Sequence, residues 1–171
     1  MKYANELPRG VQVILQYEKS EDPLFQKYIV VRDINDRGSG TGVKKIGLPG
    51  GEIDDIETYV HAGLREVHEE TGLQSFHFTS LDFFGFYPKS RSNGWNNNAL
   101  LVGTVTHLPE KMITNDTSEV SEVLIMTLEE IIQSFHSGEF HEGSIRLILL
   151  HLIGVKERSL DLPVPFRDTQ F

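Results

Sequence analysis

Residues 10–17, GVQVILQY, and 26–31, QKYIVV, are apolar and β-branched, with polar turn residues at 20–23 between them. Runs of this kind predict two strands, joined as a hairpin that begins a sheet. Residues 33–42, DINDRGSGTG, read as a surface loop, and 43–48 as a short strand ending at Pro49. The aromatic run 76–87, FHFTSLDFFGFY, predicts a long or bent strand with Gly85 at a bulge. Residues 90–98, SRSNGWNNN, predict a hairpin loop, and 99–106 the returning strand. A polar, acidic loop over 114–122 precedes a short strand at 123–126 and an amphipathic helix over 128–135 that Thr127 can cap. Residues 143–155, GSIRLILLHLIGV, predict an apolar helix that Ser144 can cap and that packs on the sheet. Pro163 and Pro165 break the tail into an extended or disordered segment. Strands, a central helix, more strands and then helices predict an α/β (α+β) sandwich with a mixed sheet and helices on both faces.

The stretch that departs from this alternation is 48–73, LPGGEIDDIETYVHAGLREVHEETGL. A Pro-Gly-Gly turn and an acidic linker lead to a helix over 58–71. Thr58 is the better N-cap, Asp54 an alternative a turn earlier, and Gly72 ends the helix in the left-handed region. At about 100° per residue, Glu66, Glu69 and Glu70 share an arc of roughly 100°. Val60, Leu64, Val67 and Thr71 form the stripe expected to pack on the sheet. Ala62 and Gly63 lie on the carboxylate arc one turn earlier and are expected to leave room for a ligand. Arg65 is placed to brace Glu69 across one turn. Carboxylates crowded on one arc repel unless solvated or bridged by a cation, and such hard oxygen donors suit Mg²⁺ or Mn²⁺.

Composition narrows the alternatives. The 171 residues suffice for one domain, expected to span 1–171 with its core at about 8–156. No apolar run reaches the roughly 20 residues of a membrane span, and residues 1–10 lack a signal-peptide apolar region. Cysteine is absent, which excludes disulfides, thiolate metal sites and cysteine nucleophiles. These features are expected of a cytoplasmic protein with no membrane partner. The net charge of −9 and the lack of a dense Lys/Arg cluster argue against nucleic-acid binding. An acidic protein acting on an anionic substrate needs a local cation source, which bound metal would supply.

Gly51, five residues, Glu57, seven residues, then Arg65-Glu66-Val67-His68-Glu69-Glu70-Thr71-Gly72-Leu73 resembles the box of the Nudix hydrolases at every specified position. Nine constrained positions at fixed spacing would arise by chance at roughly 10⁻⁹ per start site. The resemblance implies hydrolysis of a nucleoside diphosphate linked to another group. It implies that Glu66, Glu69, Glu70 and the Gly51 carbonyl hold Mg²⁺, with Mn²⁺ as a substitute. Glu69 or Glu70 would help deprotonate water, and Arg65 would orient a carboxylate. Glu57 is left as an outer support of the site or a charge near the helix N-terminus. A downstream acid would assist as base or ligand, with Asp116, Glu119 and Glu122 as candidates. A homodimer through the sheet edge or the tail is implied only by analogy with the family.

The substrate is less tightly specified. Pro88, fifteen residues after Leu73, is similar to a marker of ADP-ribose pyrophosphatases and makes ADP-ribose or a related nucleotide sugar the leading expectation. Residues 47–51, GLPGG, look more like nucleoside-triphosphate-cleaning members, without the aromatic residue usual there. Lys89, Arg91 and Trp95 could bind phosphate and stack a base. A (deoxy)nucleoside triphosphate pyrophosphatase and a non-catalytic nucleotide-sensing module stay open as alternatives. The seven histidines form no metal-binding spacing.

Overall fold

The computed structural model describes residues 8–36, 42–91, 94–115 and 117–159, with side chains except at 88–96 and 155–159. Strand β1, Gly10–Tyr17, alternates as its sequence predicts: Val11, Val13 and Leu15 join one core and Ile14 the other. It pairs antiparallel with β2, Lys27–Asp33, through Leu15↔Ile29, Gln16↔Tyr28 and Tyr17↔Lys27. Along its whole length it pairs in parallel with β5, Gly94–Val105. With the two-residue β3, Ile46–Gly47, and β4, Phe78–Arg91, the sheet runs β3-β2-β1-β5-β4. The last strand β6, Val120–Thr127, lies antiparallel on β2. The sheet is therefore mixed, as expected.

Beyond Leu15 the first two strands part, and the chain at 46–52 fills the fork. Ile46 and Gly47 pair with Arg32 and Val31 of β2, while Val11 and Val13 of β1 donate N–H to Gly51 O and Pro49 O, each at 2.9 Å. Pro49 has no N–H to offer a ladder, and Gly50 at φ 149° redirects the chain from one strand to the other. The strand expected over 43–48 shrinks to two residues for this reason.

Helix α1, Tyr59–Thr71, covers one face of the sheet, packing with Val11, Val13, Leu15, Ile29, Leu101 and Val105. The other face carries α2, Leu128–His136, and α3, Glu142–Ser159, on a core of Ile14, Tyr28, Val30, Leu100, Ile131, Phe140 and Ile148. Burial pushes the Tyr28 phenol up to about 12. Thr127 and Glu130 close a capping box at the start of α2, with Thr127 Oγ1 accepting from Glu130 N at 3.2 Å and Glu130 Oε2 from Thr127 N at 2.7 Å.

Three sequence expectations are corrected. Most of the loop expected over 90–98 is ladder: Tyr87↔Asn98 continues through Arg91↔Gly94, and residues 92 and 93 lie outside the described set. Backbone pairing does not require apolar side chains, so a Ser- and Asn-rich stretch can still be strand. Helix α3 starts before Ser144, whose hydroxyl accepts from Leu48 N at 3.2 Å instead of capping the helix. Strand β6 begins at Val120, 1% exposed and paired with Asp33, three residues earlier than its apolar run indicates. Register shifts beside Gly85 do match the predicted bulge. The tail beyond residue 159 lies outside the described residues, and among these no helix is long and apolar enough to cross a membrane.

Candidate active site

Both predicted ends of α1 are observed. Thr58 Oγ1 accepts from His61 N at 3.2 Å, and Gly72, at φ 74°, donates its N–H to His68 O. The buried face is turned from the predicted one. Ala62, Gly63, Val67, Glu70 and Thr71 are buried, whereas Val60 and Leu64 are only partly so. Ala62 and Gly63 do not clear space for a ligand. A Cβ at position 63 would stand 2.5 Å from Leu101 Cδ1 and 3.3 Å from Val13 Cγ2. Small residues here let the helix approach the sheet closely.

That approach carries Glu70 inward to 5% exposure. A buried carboxylate requires partners, and Gly50 N–H donates to Glu70 Oε2 at 2.9 Å. The wedge at 46–52 thus meets the helix at this contact. The next residue of the wedge abuts Glu66: a Cβ on Gly51 would stand 2.3 to 2.7 Å from the Glu66 carboxylate atoms. Only glycine leaves the room that carboxylate occupies.

Arg65 gathers the acids. Its Nε and Nη2 grip Glu57 at 3.0 Å each, Nη1 reaches Glu66 Oε1 at 2.8 Å and Glu69 Oε2 at 3.3 Å, and Nη2 also donates to Glu52 O at 2.9 Å. The predicted brace on Glu69 is present, and Glu57 acquires a definite place as the anchor of Arg65. This pairing holds the Glu57 carboxyl below its ordinary value and raises that of Arg65. Burial pushes Glu66 up, Arg65 opposes that, and the charges of Glu69 and Glu119 add to the rise.

The remaining expected residues divide. Glu119 acts electrostatically on Glu66, whereas Glu122 lies in β6 and pairs with Arg32 at 3.2 Å. Asp116 is outside the described residues. Pro88, Lys89, Arg91 and Trp95 are on the β4–β5 ladder, but their side chains are outside the described set. The Gly51 carbonyl already accepts the Val11 N–H, leaving one of its two lone pairs. Sequence reasoning missed the Gly50 N–H and Thr114 and Asn115, which contact the end of α1. Backbone donors and loop amides carry no spacing signal by which they could have been found.

Among the described residues, no three acidic or histidine side chains converge as a ready-made metal cluster. The donor set nonetheless fits a hard divalent cation: three carboxylates on one flank of α1, with a glycine cradle that a Cβ would fill. A groove of about 480 Å³ between β6 and α2, lined by Arg32, Met126, Glu130 and Glu139, includes none of these acids.

The NUDIX domain profile matches residues 7–148. No curated protein matches the chain. Among solved structures, the binary complex of Caenorhabditis elegans Ap4A hydrolase superposes with TM-score 0.60 at 12% identity, covering 86% of this chain and 99% of that one. A NUDIX hydrolase from Nitrosomonas europaea gives TM-score 0.56 at 19% identity, covering 96% and 97%. The NUDIX domain of Shewanella oneidensis NrtR, complexed with ADP ribose, gives 0.53 at 21% identity, covering 76% and 79%. At these identities the superpositions establish a shared fold.

Proposed function

The chain belongs to the Nudix family, and from that premise we propose that it is a metal-dependent pyrophosphohydrolase cleaving a nucleoside diphosphate linked to another group. The observation that carries this reading is the placement of Glu66 and Glu70 against the Gly50–Gly51 turn, with Arg65 tying Glu69 to Glu66.

Glu66, Glu69 and Glu70 would hold Mg²⁺, or Mn²⁺ in its place. When bound, the ion would neutralise charge on the pyrophosphate and lower the pKa of water. Gly50 N–H orients Glu70, and Arg65 orients Glu66 and Glu69. Glu57 and the Glu52 carbonyl keep Arg65 directed at these acids. Glu69 is the most accessible of the three, with its side chain 43% exposed against 13% for Glu66. Its Oε2 faces Arg65, so Oε1 is the atom we assign to take a proton from the attacking water. Glu119 is the downstream acid this arrangement favours, because its charge reaches Glu66 while Glu122 is engaged by Arg32.

ADP-ribose is the leading substrate, with AMP and ribose 5-phosphate as products. The position of Pro88 supports it, as does the ADP ribose held by a similar NUDIX domain. Lys89, Arg91 and Trp95 are the candidates for holding it. The test is a panel of ADP-ribose, nucleotide sugars, dinucleoside polyphosphates and (deoxy)nucleoside triphosphates with Mg²⁺ and with Mn²⁺, products being separated by chromatography. AMP from ADP-ribose supports the assignment. Preferential release of pyrophosphate from triphosphates would replace it with the clean-up reading, and binding without turnover would make the domain a sensor.

A further inference from the structure

Every helix ends with carbonyl groups that lack partners within it. In α1 the Leu73 N–H, which would continue the ladder to Glu69 O, is taken by Thr71 Oγ1 at 3.2 Å. The Glu69 carbonyl is capped from far along the chain instead, by Asn115 N–H at 2.7 Å and Thr114 Oγ1 at 3.3 Å. Asn115 Nδ2 donates to His68 O at 3.1 Å, sharing that carbonyl with Gly72 N–H. Ile113 lies against the helix end as well: a Cβ on Gly72 would stand 2.6 Å from Ile113 O. Further along, the Glu119 carbonyl accepts Ile34 N–H at 2.7 Å, just past the end of β2. The acidic loop is thus fastened on one side to the backbone of Glu69 and on the other to the sheet.

We infer that Thr114 and Asn115 form a clamp that sets where Glu119 stands relative to Glu66 and Glu69, with Asn115 a positioning residue for the metal-holding carboxylates. The inference rests on the reading of α1 as the metal-holding helix. Its chemistry is specific to the side chain. The backbone bond to Glu69 O can be made by nearly any residue, but the bond to His68 O needs a donor at Nδ2. Asn115→Asp keeps the volume and replaces that donor with an oxygen facing a carbonyl and the negative end of the helix dipole. Thr114→Val removes one hydroxyl donor and keeps the shape.

The test compares Mn²⁺ affinity by electron paramagnetic resonance, without substrate, in wild type, Asn115→Asp, Thr114→Val, Glu119→Gln and the Asn115→Asp/Glu119→Gln double variant. Kinetics with Mg²⁺ are measured on the same proteins. Asn115→Asp should weaken Mn²⁺ binding about fivefold and lower kcat about tenfold with KM within about twofold, since small displacements at a reacting centre act on kcat. Combined with Glu119→Gln it should add less than about twofold, because the two act through one interaction. Thr114→Val should repeat the pattern at smaller amplitude, and decides the matter if circular dichroism shows Asn115→Asp unfolded. Wild-type Mn²⁺ affinity in the clamp variants, absence of Mn²⁺ binding in wild type, or a full Asn115→Asp effect without Glu119 overturns the clamp. The Mn²⁺ pattern without turnover of any substrate supports the clamp and refutes the hydrolase reading; turnover with Mn²⁺ binding unaltered by the clamp variants does the reverse.

Discussion

On one face of the sheet α1 rests on Val11, Val13 and Leu101 through Ala62, Gly63 and Val67. On the other, α2 and α3 press Leu128, Ile131, Ile145 and Ile148 against Ile14, Tyr28 and Val30. The second face is built from large side chains that fill volume, and its contribution is hydrophobic burial. The first is built for close approach, and its small residues bring a carboxylate-bearing flank down onto the Gly50–Gly51 turn. Stability and chemistry are thus separable by face: bulk on one side holds the sheet, proximity on the other places the acids.

Substitutions can break this division at graded strengths. The largest effect is expected from Glu69→Gln, which should lower kcat by two to three orders of magnitude, about 3–4 kcal/mol in the barrier. Its melting temperature should stay within about 2 °C, since no buried contact is lost. Normal turnover by this variant would remove α1 from the chemistry. Ile131→Ala on the opposite face should do the converse. It leaves a cavity at a fully buried position, costing about 2–5 kcal/mol in urea unfolding, with kcat of the folded protein unchanged. A matching loss of kcat would show that the faces are coupled.

Gly63→Ala sharpens the comparison because it should move both properties together. The added Cβ meets Leu101 Cδ1 at 2.5 Å, so overpacking should cost about 1–3 kcal/mol. Lifting α1 from the sheet should also lengthen the Gly50–Glu70 contact and weaken metal binding, measurable as a raised Mg²⁺ requirement. The smallest effect belongs to Glu57. Arg65 holds its carboxyl below the ordinary 4.5, so it adds stability that is present above that pH and lost as the pH falls through the lowered folded value. Glu57→Gln should therefore be less stable at pH 7 by under about 1 kcal/mol. Its urea midpoint should fall less steeply than that of wild type as the pH drops below about 4.5.

Much of α1 could be read before any fold was known. Thr58, Gly72 and the arc of Glu66, Glu69 and Glu70 follow from helical geometry and capping chemistry, which are local. The same projection misassigned Ala62 and Gly63 to the ligand side. Helical angles show which residues share a flank, but not which partner faces that flank. Glu70 illustrates the limit. A carboxylate is normally counted on the wet face, yet Gly50 N–H permits its burial. The β4–β5 arm was misread from its Ser and Asn content, because ladder hydrogen bonds belong to the backbone. Glu119 and Glu122 looked equivalent along the chain; only pairing of β6 with β2 brought Arg32 to one of them.

By itself the sequence determined the helix, its ends, the shared arc of Glu66, Glu69 and Glu70, the arginine that braces it and the layered α/β class. Each depends on residues within a few positions of one another or on a repeating pattern. Tertiary structure alone decided the fork between β1 and β2, the Gly50 contact to Glu70 and the fastening of Asn115 to the end of α1. These contacts join backbone groups to residues far away in the chain. Every residue but proline carries the same amide and carbonyl, so nothing in a side-chain pattern marks which of them will meet α1.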